Sequence, residues 1–227
     1  MFFIGGKIML EQVKGKVIIS CQALENEPLH SSFIMGRMAL AVAQGGAAGI
    51  RANSVADIEE IRKHVDLPIV GIIKHDYPDS EIYITATSKE VEALLETNIE
   101  MIALDATDRK RPGGETTREL VAKIHEGNKL AMADISNVEE GIAAEKVGFD
   151  CVSTTLSGYT PYTKTRPRPD FELLEQLRNA ISIPIICEGH ITEPAEVAEA
   201  YKRGAYSVVV GSAITRPQEI AKRFTDF

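Results

Sequence analysis

The sequence predicts an α/β protein, a single (β/α)8 barrel spanning residues 1–227. Two observations carry this expectation. Eight short apolar runs each stop at a polar residue or a glycine, and charged segments of helical periodicity separate them. The runs are Val17–Gln22, Ala47–Ala52, Ile69–Lys74, Met101–Ala106, Leu130–Ile135, Cys151–Leu156, Ile183–Gly189 and Ser207–Ile214. Each is too short and too uniformly apolar for an amphipathic helix and suits a strand buried on both faces. Strands alternating with helices give a parallel sheet, and eight such units close it into a TIM-type barrel.

The helices follow from what lies between the runs. Pro28–Gln44 carries Phe33, Ile34, Met38, Leu40 and Val42, with Ser31 or Ser32 as N-cap and Gly45-Gly46 as the stop. Ser54 caps a segment bearing Ile58, Ile61 and Val65, which Pro68 closes. Ser88 precedes Val91, Leu94 and Leu95, and Thr117 precedes Leu120, Val121 and Ile124. Asn137 opens a helix that Gly148 ends, and Asp170–Ala180 supplies Phe171, Leu173, Leu174 and Leu177. Thr192-Glu193-Pro194 places a cap and a first-turn proline ahead of Val197 and Tyr201. Residues 1–12 form an N-terminal extension or a helix leading into the barrel, and Met9 offers an alternative start to Met1.

Composition narrows the function. A net charge of −8 and a pI near 5.2 argue against nucleic acid or an anionic membrane as partner. No apolar stretch approaches the roughly 18 residues of a membrane span, and MFFIGG lacks the length and basic flank of a signal peptide. Cys21, Cys151 and Cys187 all fall inside strands; an odd count in core positions reads as reduced thiols in a cytoplasmic protein. Alternation points Cys21 and Cys187 away from the barrel mouth.

Barrel chemistry sits at the C-terminal ends of the strands. The run ends therefore nominate Gln22, Arg51, Lys74, Asp105, Asp134, Thr154, Glu188 and Gly211. Lys74 ends five apolar residues, and burial of its ammonium lowers its pKa and makes it a base or Schiff-base nucleophile. Glu188 follows Ile-Ile-Cys and precedes Gly189, a placement that calls for a cationic neighbour or an acid/base role. Val208–Pro217 reads as a phosphate site after strands seven and eight: Gly211 and Gly189 let the backbone approach, Ser212 offers an amide, and Arg216 closes over the oxygens. Gln22 and Arg51 offer fixed donors to a substrate, and Asp134 can orient Lys74 or accept from a hydroxyl. The long segment Leu156–Asp170, with Tyr159, reads as a lid, a substrate contact or an ordered surface loop. Strand ends rich in His and Asp are absent and His75 faces away from Lys74, so neither a metal nor another cofactor is expected.

Taken together, SCQ, GIRA, GIIK-x-D, TTLSGYT and VGSAITRP resemble the N-acetylmannosamine-6-phosphate 2-epimerase family over nearly the whole chain from Val17. The resemblance implies a metal-free barrel that interconverts N-acetylmannosamine 6-phosphate and N-acetylglucosamine 6-phosphate at C2, in sialic acid and amino-sugar catabolism. It implies catalytic roles for Lys74 and Glu188, sugar or phosphate contacts from Gln22, Arg51, Asp134 and Arg216, and commonly a homodimer. Thr154, from its strand end, and Tyr159, from the long loop, are expected to bind substrate as well. His75 and His190 depart from the family's usual residues, and the segment before Val13 has no clear counterpart. Two other readings keep the same residues: a different sugar-phosphate enzyme, such as an isomerase, aldolase or synthase, and a non-catalytic sugar-phosphate sensor.

Overall fold

A computed structural model describes residues 4–226. The eight apolar runs form β1 (Val17–Cys21), β2 (Gly49–Asn53), β3 (Ile69–Ile72), β4 (Met101–Asp105), β5 (Leu130–Asp134), β6 (Cys151–Ser153), β7 (Ile185–Glu188) and β8 (Ser207–Val210). Each pairs in parallel with its sequence neighbour, and β8 closes on β1 through Val17↔Val208, Ile18↔Val209 and Ile19↔Val210, giving a closed barrel. The expected (β/α)8 architecture is what the chain adopts. No helix among the described residues is long and apolar enough to cross a membrane.

Strand alternation splits the core into two shells. Ile18, Val70, Ile72, Met101, Met132, Cys151, Ile186 and Val209 pack together inside the barrel. The residues between them, including Ile19, Cys21, Ile50, Ala52, Ile102, Ala131, Cys187 and Val208, pack outward against the helices. Cys21 and Cys187 thus lie in the outer shell as expected, and all three thiols are buried and unpaired. Burial pushes Cys21 and Cys187 up to about 12, so neither is a nucleophile near neutral pH.

The N-terminal segment is a helix, α1 (Ile4–Val13); residues 1–3, including Met1 and most of the apolar start of MFFIGG, lie outside the described residues. Met9 and Val13 of α1 join the inner cluster, and Gly15 N–H donates to the Tyr206 carbonyl just before β8. The helix therefore plugs the N-terminal end of the barrel and leaves the other end open.

Around the barrel run α2 (Ser32–Gln44), α3 (Val55–Arg62), α4 (Ser88–Leu95), α5 (Thr117–Glu126), α6 (Val138–Val147), α7 (Phe171–Ala180) and α8 (Pro194–Lys202). Two starts differ by one residue from the sequence expectation, with N-caps at Thr87 and Thr116, while Glu193 caps α8 within the expected Thr192-Glu193-Pro194; each cap faces a Glu at the third helical position in a capping box. The glutamate decides the register, because a cap must lie three residues before it. After β8 come a one-turn α9 (Ser212–Thr215) and α10 (Pro217–Thr225), none of whose residues is buried.

Gly71 of β3 faces the helix layer, where an added Cβ would meet Ile99 Cδ1 at 2.8 Å, Ile58 Cδ1 at 3.1 Å and Leu94 Cδ2 at 3.1 Å. Gly71→Ala should cost about 1–3 kcal/mol by overpacking, and thermal melting would register this as a lower Tm with the fold retained.

Candidate active site

The open end of the barrel is a cavity of about 1510 Å³. Gln22, Arg51, Lys74, Tyr159, Glu188, Gly189, Gly211, Ser212 and Arg216 all line it, so nine of the residues nominated from sequence share one space. The strands place them: Gln22, Arg51, Lys74, Glu188 and Gly211 continue the inward alternation of β1, β2, β3, β7 and β8.

Arg51 is the centre. It reaches from β2 to β5 with 1% of its side chain exposed and donates from Nη2 to Asp134 Oδ2 at 2.6 Å and from Nη1 to Asp134 Oδ1 at 3.0 Å. The same Nη1 reaches Glu188 Oε2 at 2.7 Å. Burial alone would lower the guanidinium pKa, but the two carboxylates outweigh it and hold Arg51 above its usual range. Asp134 is fully buried beneath this fork and does not reach the cavity. Its place is to orient Arg51, so contact with a substrate hydroxyl is not its geometry.

Glu188 keeps 12% of its side chain exposed, the one carboxylate of this trio open to the cavity. Burial pushes its carboxyl pKa up; Arg51 opposes that, Asp134 adds to it, and the hydroxyls of Thr155 and Ser153 oppose it. The net direction is upward, so Glu188 takes up a proton more readily than a free carboxylate. Thr155 Oγ1 lies 2.7 Å from Asp134 Oδ1 and 3.1 Å from Glu188 Oε2, and Ser153 Oγ donates to Glu188 Oε2 at 3.2 Å.

Thr154, nominated as the end of the sixth run, turns away from the cavity. Its hydroxyl donates to the Glu188 carbonyl at 2.8 Å and accepts from the Glu188 N–H at 3.0 Å. The cavity wall is Thr155 instead, because the chain leaves β6 through a short 3-10 turn, Thr154–Leu156. Asp105 is likewise diverted: it accepts from Arg109 and from the Thr107 hydroxyl and stays outside the cavity.

Lys74 lies two residues beyond β3, in a return of the chain that the sequence did not signal. Its N–H donates to Asn53 Oδ1 at 2.9 Å, it bridges Ile84 in antiparallel fashion, and His75 N–H donates to the Tyr83 carbonyl. Burial lowers the ammonium pKa, the Arg51 and Arg216 cations add to that, Glu188 and Asp134 pull the other way, and the net is about 8. A lysine brought down beside a carboxyl brought up is the signature of a paired acid and base.

At the other side of the cavity, Gly189 has φ +105°, a backbone conformation that glycine accepts without strain. Tyr159 stacks on His190 with ring centroids 4.8 Å apart. Gln22 donates to Ser20 Oγ at 2.8 Å while its Oε1 is buried without a partner, an acceptor that a bound ligand's N–H or O–H would satisfy. The segment after β6 is pinned: the Tyr162 hydroxyl donates to Glu140 Oε1 at 2.6 Å, Thr160 reaches Ser136, and Ser157 donates to Asp170. It is a fixed wall.

Among the described residues no group of three His, Cys, Asp or Glu side chains is placed to hold a metal ion. Asn53, Tyr83, Ser153, Thr155 and Glu27 went unread in the sequence. Inward parity counted from Cys151 gives Ser153 and Thr155, and parity from Arg51 gives Asn53; Tyr83 and Glu27 carry no such signal.

Residues 35–227 match the family model described as "Putative N-acetylmannosamine-6-phosphate epimerase". A relative from Clostridium perfringens is 66% identical over 218 residues, 96% of this chain and 99% of its own, and bears the same description with "2-epimerase". One from Clostridioides difficile with that description is 59% identical over 216 residues, covering 95% and 97% of the two chains. The solved N-acetylmannosamine-6-phosphate 2-epimerase from Clostridium perfringens superposes with a TM-score of 0.94 at 66% identity, over 96% of this chain and 95% of that one. Thiamine phosphate pyrophosphorylase from Pyrococcus furiosus, at 16% identity and a TM-score of 0.60, shares the fold alone.

Arg51→Met should cost about 3–5 kcal/mol, because Asp134 and Glu188 would be left buried together without their cation. Chemical denaturation checks it, and at neutral pH the loss should exceed that of Arg216→Met at the rim.

Proposed function

The chain belongs to the N-acetylmannosamine-6-phosphate epimerase family, and we propose that Lys74 and Glu188 carry the proton transfers by which it interconverts N-acetylmannosamine 6-phosphate and N-acetylglucosamine 6-phosphate. The observation that carries this assignment is the opposed shift of two side chains in one cavity, a lysine brought down to about 8 and a carboxyl pushed up.

In the open-chain sugar the C1 aldehyde acidifies the C2 proton. Lys74 in its neutral form takes that proton and leaves an enediolate-like intermediate; return of a proton to the opposite face inverts C2. With a pKa of about 8, roughly a quarter of the lysine is neutral at a pH of about 7.5, against about one part in a thousand for an unperturbed side chain. Glu188 serves as the second acid/base, moving protons at O1 and O5 or at C2. The Arg51 guanidinium, already fixed by Asp134, stabilises the developing oxyanion without reorganising.

The phosphate is assigned to the backbone of Gly189, Gly211 and Ser212 and to the Arg216 side chain, after β7 and β8, where barrels commonly hold phosphate. Gln22 and Tyr159 contact the sugar from the cavity walls. The reading needs neither metal nor organic cofactor, and it suits the role that sialic acid and amino-sugar catabolism gives such an epimerase.

A homodimer and a cytoplasmic site of action complete the proposal. Phe224 of α10 is 76% exposed and Phe33 of α2 is 65% exposed, apolar area of the kind a second copy would cover. Three buried, unpaired thiols suit a reducing compartment.

Proton NMR with N-acetylmannosamine 6-phosphate in D2O, with EDTA present, tests the reaction. Conversion with deuterium appearing at C2 is expected, faster as pH rises through about 8 because Lys74 then loses its proton. Lys74→Ala should abolish the C2 exchange while the protein stays folded; retained exchange would overturn the assignment. Sedimentation equilibrium should return about twice the 24.8 kDa chain mass, and a monomer would end the dimer reading.

A further inference from the structure

The rim of the cavity holds a second, half-buried charge pair that the chemistry at C2 does not use. Glu27 lies in the segment between β1 and α2. Its carboxylate accepts from the Leu24 N–H at 2.7 Å, from Arg216 Nη2 at 3.0 Å and from Gln218 Nε2 at 3.2 Å, and Arg216 Nε stands 2.8 Å from Oε1 as an ion-pair contact. Three hydrogen bonds and this ion pair surround one carboxylate, and the side chain is 15% exposed. All but the Leu24 amide come from the far end of the sequence, at the junction of α9 and α10.

A guanidinium has two edges that can each grip a pair of oxygens. Glu27 takes the edge made by Nε and Nη2. That leaves the edge made by the two terminal nitrogens for the cavity, which Arg216 lines together with Gly211 and Ser212. An arginine on a 32% exposed rim position would otherwise sample many rotamers, at an entropic cost on each binding event. The Leu24 amide fixes the carboxylate in turn, so the orientation of Arg216 is set by the backbone of the first βα segment.

We propose that Glu27 is a positioning residue for phosphate recognition: it presents a pre-set edge of Arg216 to the phosphate of the sugar and ties the first βα segment to the last. The inference rests on the reading of Arg216 as a phosphate ligand. Glu27 touches neither the sugar nor the reacting atoms, so its effect falls on substrate affinity and not on proton transfer. Glutamine cannot replace it, since its amide nitrogen would face either the Leu24 N–H or the Arg216 guanidinium, donor against donor.

Steady-state kinetics of Glu27→Gln, Arg216→Lys and the double variant with N-acetylmannosamine 6-phosphate test the proposal. Glu27→Gln should raise KM about tenfold with kcat within about twofold of the parent, as for loss of an interaction made equally in ground and transition states. Glu27→Asp, which keeps the charge but withdraws the oxygens by one methylene, should give the same split and stands in if the first variant misfolds. In the Arg216→Lys background the Glu27→Gln effect on KM should shrink to under about twofold, because the fork it served is gone. A raised KM in Arg216→Lys with the parent KM in both Glu27 variants overturns the inference alone. An unchanged KM in Arg216→Lys removes the phosphate reading and the inference with it. Additive effects, or a fall in kcat with KM unchanged, would mean that Glu27 acts independently of Arg216, and would also overturn it.

Discussion

Everything at the open end of this barrel is arranged around one buried guanidinium. Arg51 grips Asp134 through both terminal nitrogens and shares one of them, Nη1, with Glu188. A cation so enclosed cannot be displaced without exposing two carboxylates to each other in low dielectric, which is why its position is fixed more firmly than packing alone would fix it. Its charge then sets the neighbours. It opposes the burial that lifts Glu188, and it adds to the burial that lowers Lys74. With Lys74 protonated and both carboxylates ionised, the four groups sum to zero. Taking the proton from Lys74 leaves one negative charge, which protonation of Glu188 removes. The proposed proton transfers thus move one charge between two places, with Arg51 and Asp134 as counterweights.

Arg216 depends on a similar device at lower cost. The inner group is nearly dry, where the proposed proton transfers take place; the outer pair with Glu27 is partly wet, where the proposed phosphate contact lies. Burial separates the two functions: strong electrostatics lies where protons move, and weaker, exchangeable contacts lie where a charged substrate must arrive and leave.

Most of the barrel was legible because its signal is repeated eight times. Apolar runs of strand length bounded by polar residues are hard to misread, and the strand-end rule then brought Arg51, Lys74 and Glu188 together before any geometry was known. The misses have separate causes. Thr154 was named as the end of its run, yet alternation from Cys151 runs through Ser153, and a tight turn hands the next inward place to Thr155. Asp105 obeys parity but is captured by Arg109 from the following segment, a contact with no periodicity to announce it. The hairpin-like return that seats Lys74 against Ile84 lies outside any regular element, and the Glu27–Arg216 contact joins residues at opposite ends of the chain. Helix starts slipped by one where Ser or Thr alternatives sat side by side, and the downstream glutamate was the deciding clue.

The pinned segment after β6 has a kinetic consequence. Glu140 takes the Tyr162 hydroxyl and also closes the start of α6 through the Ser136 and Asn137 amides, so the wall over the sixth strand moves only if a helix end comes apart. A wall held this way is already ordered before a ligand arrives, so closing a loop on that side is not among the steps of its cycle.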